Sequence, residues 1–271
     1  MIHETAVIHP SAKIAEDAYI GPNVVIGENV TIGSKTRVIA NAFIEFATIG
    51  ERCTISPFAT IGSEPQDLGY KGEETCVVIG DDTIIKENVT IHRGAACGDN
   101  TTRVGNKCLL MAGSHIAHNC VIEDQVIMAN LATLGGHCHV GFGAFIGGMS
   151  VFHQNVRIGD MAIISGFSAS RQDILPYSKC DGRPAVPVGI NVIAMKRRGV
   201  PQEVRTATNR AFKLLISRDL NTAQAIEKIT TEIPTNEYIE KMVEFVKTSK
   251  RGVLLKSRRS ALQPLEGGSN E

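Results

Sequence analysis

From Ile2 onward, every sixth residue carries an aliphatic side chain: Ile2, Ile8, Ile14, Ile20, Ile26, Ile32, Val38 and Ile44. The register resumes at Ile49, Ile55 and Ile61, and again at Ile79, Ile85 and Ile91. It then runs from Val104 through Leu110, Ile116, Ile122, Met128, Leu134, Val140, Ile146, Phe152 and Ile158 to Ile164. Neither an amphipathic helix nor an alternating strand has a six-residue period. So long a repeat predicts a stacked solenoid, because each unit can bury its apolar face only against its neighbours. Two residues before each register position lies a column of mostly small residues, Ala6, Ala12, Ala18, Val24, Val30, Thr36 and Ala42 in the first run. Residues two apart on extended backbone face the same way, so both columns are expected to point inward. Glycine commonly follows the register position, as at Gly21, Gly27, Gly33, Gly50, Gly62, Gly80, Gly105, Gly141, Gly147 and Gly159. These glycines are expected to supply the dihedrals of a sharp corner. Each hexad then reads as one strand and one corner.

Three hexads close a triangular coil, and the pattern resembles the hexapeptide-repeat family, whose fold is a left-handed parallel β-helix. The handedness is implied by that resemblance alone, since general topology favours right-handed parallel crossovers. The register claims residues 1 to about 175. Leu175, Pro176, Pro184, Pro187 and Gly189 punctuate a transition, after which Glu203 to Leu220 and Tyr238 to Lys247 show helical apolar spacing. Asn221 with Gln224 reads as a capping box opening another helix. The expected organisation is a β-helix domain over 1–189, a small helical domain over 190–260, and a disordered tail over 261–271.

Basic and acidic residues balance at 28 each, which gives no electrostatic reason to expect a nucleic-acid or anionic-membrane partner. No apolar run approaches the roughly 18 residues of a transmembrane helix, and the start Met1-Ile2-His3-Glu4 does not read as a signal peptide, so a cytoplasmic location is expected. Of the 7 cysteines, Cys53, Cys108, Cys120 and Cys138 occupy the small inward column and read as packing. Cys76, Cys97 and Cys180 lie off the register, and no CxxC pair points to zinc or redox chemistry.

The polar chemistry gathers where the register breaks. The step from Ile44 to Ile49 only shortens one hexad, whereas Gly62 to Val78 and His92 to Arg103 are insertions. Counting register positions in threes puts Ile61, Ile91, Ile116, Leu134 and Phe152 on one face, so both insertions leave from the same corner. Loops grown on a rigid scaffold are where binding groups are usually carried. Residues one coil apart stack about 4.8 Å from each other, which places His118, Gly136 and Gln154 in one column. Asn119, His137 and Asn155 form the next column, and His92, Ala117, Gly135 and His153 the one before. Five of the 8 histidines, His92, His115, His118, His137 and His153, thus lie on or beside one edge. Imidazole is mostly free base at neutral pH and can take a proton from a hydroxyl. Lysine would start about 3.4 units above pH 7, a penalty of roughly 4.6 kcal/mol. Close histidines also suit zinc, and some trimeric hexapeptide proteins bind a metal between subunits. Gly135, Gly136 and Gln154, interleaved here, instead suit backbone approach to a ligand and amide hydrogen bonding.

The runs Gln66-Asp67-Leu68, Ile91-His92-Arg93-Gly94, His115-Ile116-Ala117-His118-Asn119-Cys120, Gly135-Gly136-His137, Gly147-Gly148-Met149 and Val151-Phe152-His153-Gln154 resemble the UDP-N-acetylglucosamine O-acyltransferase family of lipid A synthesis. Gly189-Ile190-Asn191 and Lys196-Arg197-Arg198-Gly199 resemble its carboxy-terminal segment, so the resemblance covers nearly the whole chain. It implies that His118 is the general base deprotonating the sugar 3-hydroxyl for attack on an acyl thioester, and that Gly136 offers a backbone N–H to the oxyanion. It further implies that Asp67, beside Gln66, and His137 position the sugar, that His115, Gln154, Asn191 and Arg197 hold the nucleotide, and that His92 and His153 line the groove. Gly166 resembles the position that limits the acyl groove, and having no side chain it argues for a longer 3-hydroxyacyl group. The same resemblance implies a homotrimer with the site between subunits and acyl carrier protein as donor carrier; no cofactor or metal is expected. Lys196, Arg197, Arg198, Arg205, Arg210 and Lys213 form a candidate patch for that acidic carrier.

Three positions depart from the family pattern. Asn119 stands where many relatives carry aspartate, Gly69 where lysine is common (Lys71 being a possible substitute), and Ile193 where glutamate is common. They leave open acylation of a 3-amino sugar nucleotide. A zinc-dependent hydratase on the same scaffold, or a β-helix that only binds, are the remaining alternatives.

Overall fold

The computed structural model describes residues 1–96 and 99–255; Cys97 and the tail expected over 261–271 lie outside the described residues. The described residues form three sheets of nine, eight and ten strands, and successive strands visit the three sheets in rotation. Pairing is parallel throughout the coils and steps from each hexad to the one a full turn later, as in Ile26 with Ile44 or Ile122 with Val140. The register side chains fill the interior: Ile20, Ile44, Ile61, Ile91, Ile116, Leu134 and Ile146 are fully buried, with Ala18, Val24, Thr36 and Ala42 of the small column beside them. Cys53, Cys108, Cys120 and Cys138 sit in that column as packing residues, and Cys180 is buried as well. In the first coil Ile2 remains half exposed.

The corners are built differently from the sequence expectation. Of the ten glycines following a register position named above, only Gly62 has a positive φ, of 89°. The left-handed residue is instead the third after the register position, as at Asn23, Asn29, Asn41, Asn88, Asn119, His137 and Asn155. Asparagine tolerates that conformation because its short polar side chain bonds locally. The glycines serve close stacking: a Cβ on Gly21 would lie 1.7 Å from Ile39 O, and one on Gly105 would lie 2.7 Å from Asp124 N.

The coil continues past the transition expected near residue 175. Strand Ser178–Asp181 pairs in parallel with Ile163–Ile164 and then turns back through Val186–Ile190 as an antiparallel hairpin. Helices α1 (Val192–Arg197), α2 (Gln202–Leu215), α3 (Thr222–Glu232) and α4 (Glu237–Lys247) follow. Helix α2 stops five residues short of the expected Leu220, where Ser217 Oγ accepts the Asp219 N–H and turns the chain. The capping box at Asn221 and Gln224 is formed. The helices share a core with the last coil through Met161, Leu175, Tyr177 and Ile190. The chain then returns to the β-helix, Leu254 donating its N–H to Asp173 O and packing into the coil interior.

Candidate active site

Strands Thr60–Ser63, Thr90–His92, His115–Ile116, Thr133–Leu134 and Val151–Phe152 are consecutive neighbours in one sheet. Ile61 faces Ile91, Ile91 faces Ile116, and Ile116 faces Leu134, so both insertions do leave from one corner. His92, His115, His118 and His137 meet on that edge. The rings of His92 and His115 are 5.0 Å apart, and those of His118 and His137 are 5.1 Å apart, both edge to face.

His118 is buried, with Nδ1 2.9 Å from Asn119 Oδ1. The amide orientation of Asn119 is fixed by one residue of the second insertion, because Ala95 N–H donates to Oδ1 while Nδ2 donates to Ala95 O. Oδ1 can only accept, so His118 Nδ1 carries the proton and Nε2 presents its lone pair. That lone pair lies over Gly136: a Cβ there would fall 2.5 Å from Nε2. Among the described residues, the Gly136 N–H has no hydrogen-bond partner. A base therefore faces the backbone of a residue whose N–H is uncommitted among the described residues, an arrangement suited to removing a proton and receiving an oxyanion.

The neighbouring imidazoles are biased toward the neutral form. Burial, and next the charge of His92, push His115 down to about 4, and His115 Nδ1 shares a 2.7 Å hydrogen bond with Thr90 Oγ1. Burial and then the charge of His118 lower His92 and His137, while Asp67 acts on His137 in the opposite sense. On the first insertion, Asp67 Oδ1 accepts the Gly69 N–H. Gln66 is exposed on the same insertion, and His153 and Gln154 are exposed one coil further along the edge. Among the described residues, no three His, Cys, Asp or Glu side chains gather as metal ligands.

Asn191, Arg197 and Gly166 are elsewhere in the chain. Asn191 and Arg197 line a cleft of about 1000 Å³ on the outer face of another sheet, with Lys107, Gln125 and Arg198. The Asn191 side chain is already engaged, accepting from Ala194 N–H at the start of α1 and donating to Met161 O. Gly166 occupies the opposite edge of the histidine-bearing sheet, where an added Cβ would meet Gly148 O at 3.2 Å. The departures at Gly69 and Ile193 are exposed, and Ile193 lines the same cleft. Sequence reasoning gave Arg93 no individual role, although it is buried and touches both the insertion bearing Asp67 and the shortened hexad. A charged residue beside a register break was the available signal.

A protein of Thermodesulfovibrio yellowstonii described as acyl-[acyl-carrier-protein]–UDP-N-acetylglucosamine O-acyltransferase is 46% identical over 253 residues, covering 93% of this chain and 98% of that protein. The chain belongs to the UDP-N-acetylglucosamine O-acyltransferase family. The model of this family's domain 2 matches residues 173–254, and the bacterial transferase hexapeptide model matches residues 101–136. The solved acyltransferase of Bacteroides fragilis superposes with a TM-score of 0.91 at 40% identity, covering 93% of this chain and 99% of that one. LpxA of Acinetobacter baumannii gives the same TM-score and coverage at 38% identity. The β-helix is accordingly the left-handed one that the hexapeptide resemblance implied, and the chain is an acyltransferase.

Proposed function

We propose that the protein transfers a 3-hydroxyacyl group from acyl carrier protein to the 3-hydroxyl of UDP-N-acetylglucosamine, opening lipid A synthesis. The observation that carries this reading is the His118 tautomer, locked by Asn119 with Nε2 aimed across Gly136. Nε2 takes the proton of the sugar hydroxyl as its oxygen attacks the thioester carbonyl. The oxyanion accepts the Gly136 N–H, and its collapse expels the carrier thiolate, which recovers the proton from His118. A positioned base contributes typically about 10²- to 10⁴-fold. Asp67 and His137 orient the sugar, Gln66, His92 and His153 line its groove, and His115 and Gln154 reach toward the nucleotide.

Asn191 and Arg197 complete the nucleotide site from a neighbouring copy in a homotrimer. Their separation from His118 within one chain supports this, since a diphosphate needs a cation beside it. Residues 1–189 act as the catalytic domain and 190–255 as the helical one, the last part of the expected 190–260 lying outside the described residues. Acyl carrier protein docks on α1 and α2, where Lys196, Arg197 and Lys213 are exposed. Gly166 leaves the acyl groove open for a long chain. No helix among the described residues is long and apolar enough to cross a membrane, in keeping with cytoplasmic work on soluble substrates.

The test offers UDP-N-acetylglucosamine and its 3-amino counterpart in parallel with 3-hydroxyacyl carrier protein. An alkali-labile ester on the first sugar nucleotide is the expected product. An alkali-stable amide on the second, with no ester on the first, would reassign the acceptor.

A further inference from the structure

The three interruptions of the six-residue register meet at one side chain. Arg93 is the second residue of the second insertion, and its side chain is 7% exposed. Nη1 donates to Gly62 O at 2.9 Å and to Glu45 Oε1 at 3.1 Å. Nε and Nη2 both donate to the Tyr70 hydroxyl at 3.2 Å, and Nη2 also reaches Glu64 at 3.4 Å. The guanidinium lies 4.4 Å from the Phe46 ring centre. Glu45 and Phe46 belong to the shortened hexad, while Gly62, Glu64 and Tyr70 belong to the first insertion. The approach depends on Gly62, because a Cβ there would fall 1.6 Å from Glu45 O.

We propose that Arg93 is a positioning residue for the acceptor substrate: it clamps the first insertion to the scaffold and so sets where Asp67 meets the sugar. This rests on the reading of Asp67 given above. The path from guanidinium to carboxylate is short. Tyr70 accepts the Arg93 hydrogen bonds at its hydroxyl oxygen, donates that hydroxyl to Glu73 O, and donates its backbone N–H to the Asp67 backbone carbonyl at 3.1 Å. Between buried Pro65 and buried Thr75 the insertion is largely solvent-facing, since Glu64, Gln66 and Gly69 are exposed and Leu68 lies wholly in solvent. Lysine cannot replace the clamp, because an ammonium is a point charge without the planar fork that reaches Gly62, Glu45, Glu64 and Tyr70 together.

The experiment combines amide hydrogen exchange with kinetics on Arg93→Lys and on the milder Tyr70→Phe, which leaves the buried charge paired with Glu45. Both variants are expected to exchange faster over residues 64–75 with no change over 115–137. KM for the sugar nucleotide should rise about tenfold in Arg93→Lys with kcat within about threefold of wild type, the mark of lost binding rather than lost chemistry. Adding Asp67→Ala should cost little beyond Asp67→Ala alone, because both changes remove one interaction. Unchanged exchange over 64–75, an unchanged KM, or losses that multiply in the double variant would each overturn the proposal. A wild-type protein that acylated no sugar nucleotide would instead refute the function reading, and exchange alone would then decide whether Arg93 holds the insertion.

Discussion

Replacing Gly136 by alanine probes the atom proposed to take the proton, His118 Nε2. The new methyl would lie 2.5 Å from His118 Nε2 and 2.6 Å from Cε1, where ordinary contact begins at 3.4 Å. Gly136 itself has no left-handed φ, so the backbone accepts alanine and the clash must be relieved by the imidazole. That ring is buried between Asn119 on one side and the His137 edge on the other, and it must retreat by about 0.9 Å, a displacement of the size that costs on the order of 10²-fold in rate. The expected result is therefore a kcat about 100-fold below wild type, or about 2.7 kcal/mol of barrier, with a melting temperature near that of the parent. Initial-rate kinetics and a thermal melt on the same preparation measure both quantities. A kcat within about threefold of wild type, the melt unchanged, would refute the placement of Nε2 over Gly136 as the reacting geometry.

Three further outcomes follow from the same structure. Asn119→Leu removes the acceptor for His118 Nδ1–H and both bonds to Ala95, and kcat should fall on the order of 10- to 100-fold while KM changes little. Coexpressed His118→Ala and Arg197→Ala subunits, each inactive alone, should recover about a quarter of wild-type activity if each site draws on two neighbouring copies assorted at random, and none if it does not. The depressed His115 is neutral in the folded protein down to about 4 but protonates near 6.5 once unfolded. The unfolded state thus binds more protons between those values, and stability should fall as pH drops through that window. Melting curves of His115→Gln should show a shallower fall, and an identical pH dependence would remove His115 as its cause.

The period of six made the architecture readable because burial in a solenoid is strictly local: the residues that fill one coil, such as Ile116 and Leu134, differ only by a fixed offset. The same offset brought His118, Gly136 and His137 together on paper, and both insertions to their corner. Three things escaped it. The conformation of each corner belongs to the third residue after the register position, and the run of asparagines at Asn23, Asn29 and Asn41 was the overlooked sign. The bonds from Asn119 to Ala95 and from Arg93 to Tyr70 depend on how the insertions fold back, and no period governs an insertion. Asn191 and Arg197 lie on another face of the chain, where no offset of the register relates them to His118, and only the proposed homotrimer would bring them together.

The most direct test of the account is acyl transfer from 3-hydroxyacyl carrier protein to UDP-N-acetylglucosamine, measured for the wild type and for His118→Ala side by side. Transfer by the wild type, with a loss of about 10²- to 10⁴-fold in a variant that melts at the same temperature, is the result expected of a base at Nε2. Absence of transfer by the wild type, or transfer indifferent to His118→Ala, would contradict it.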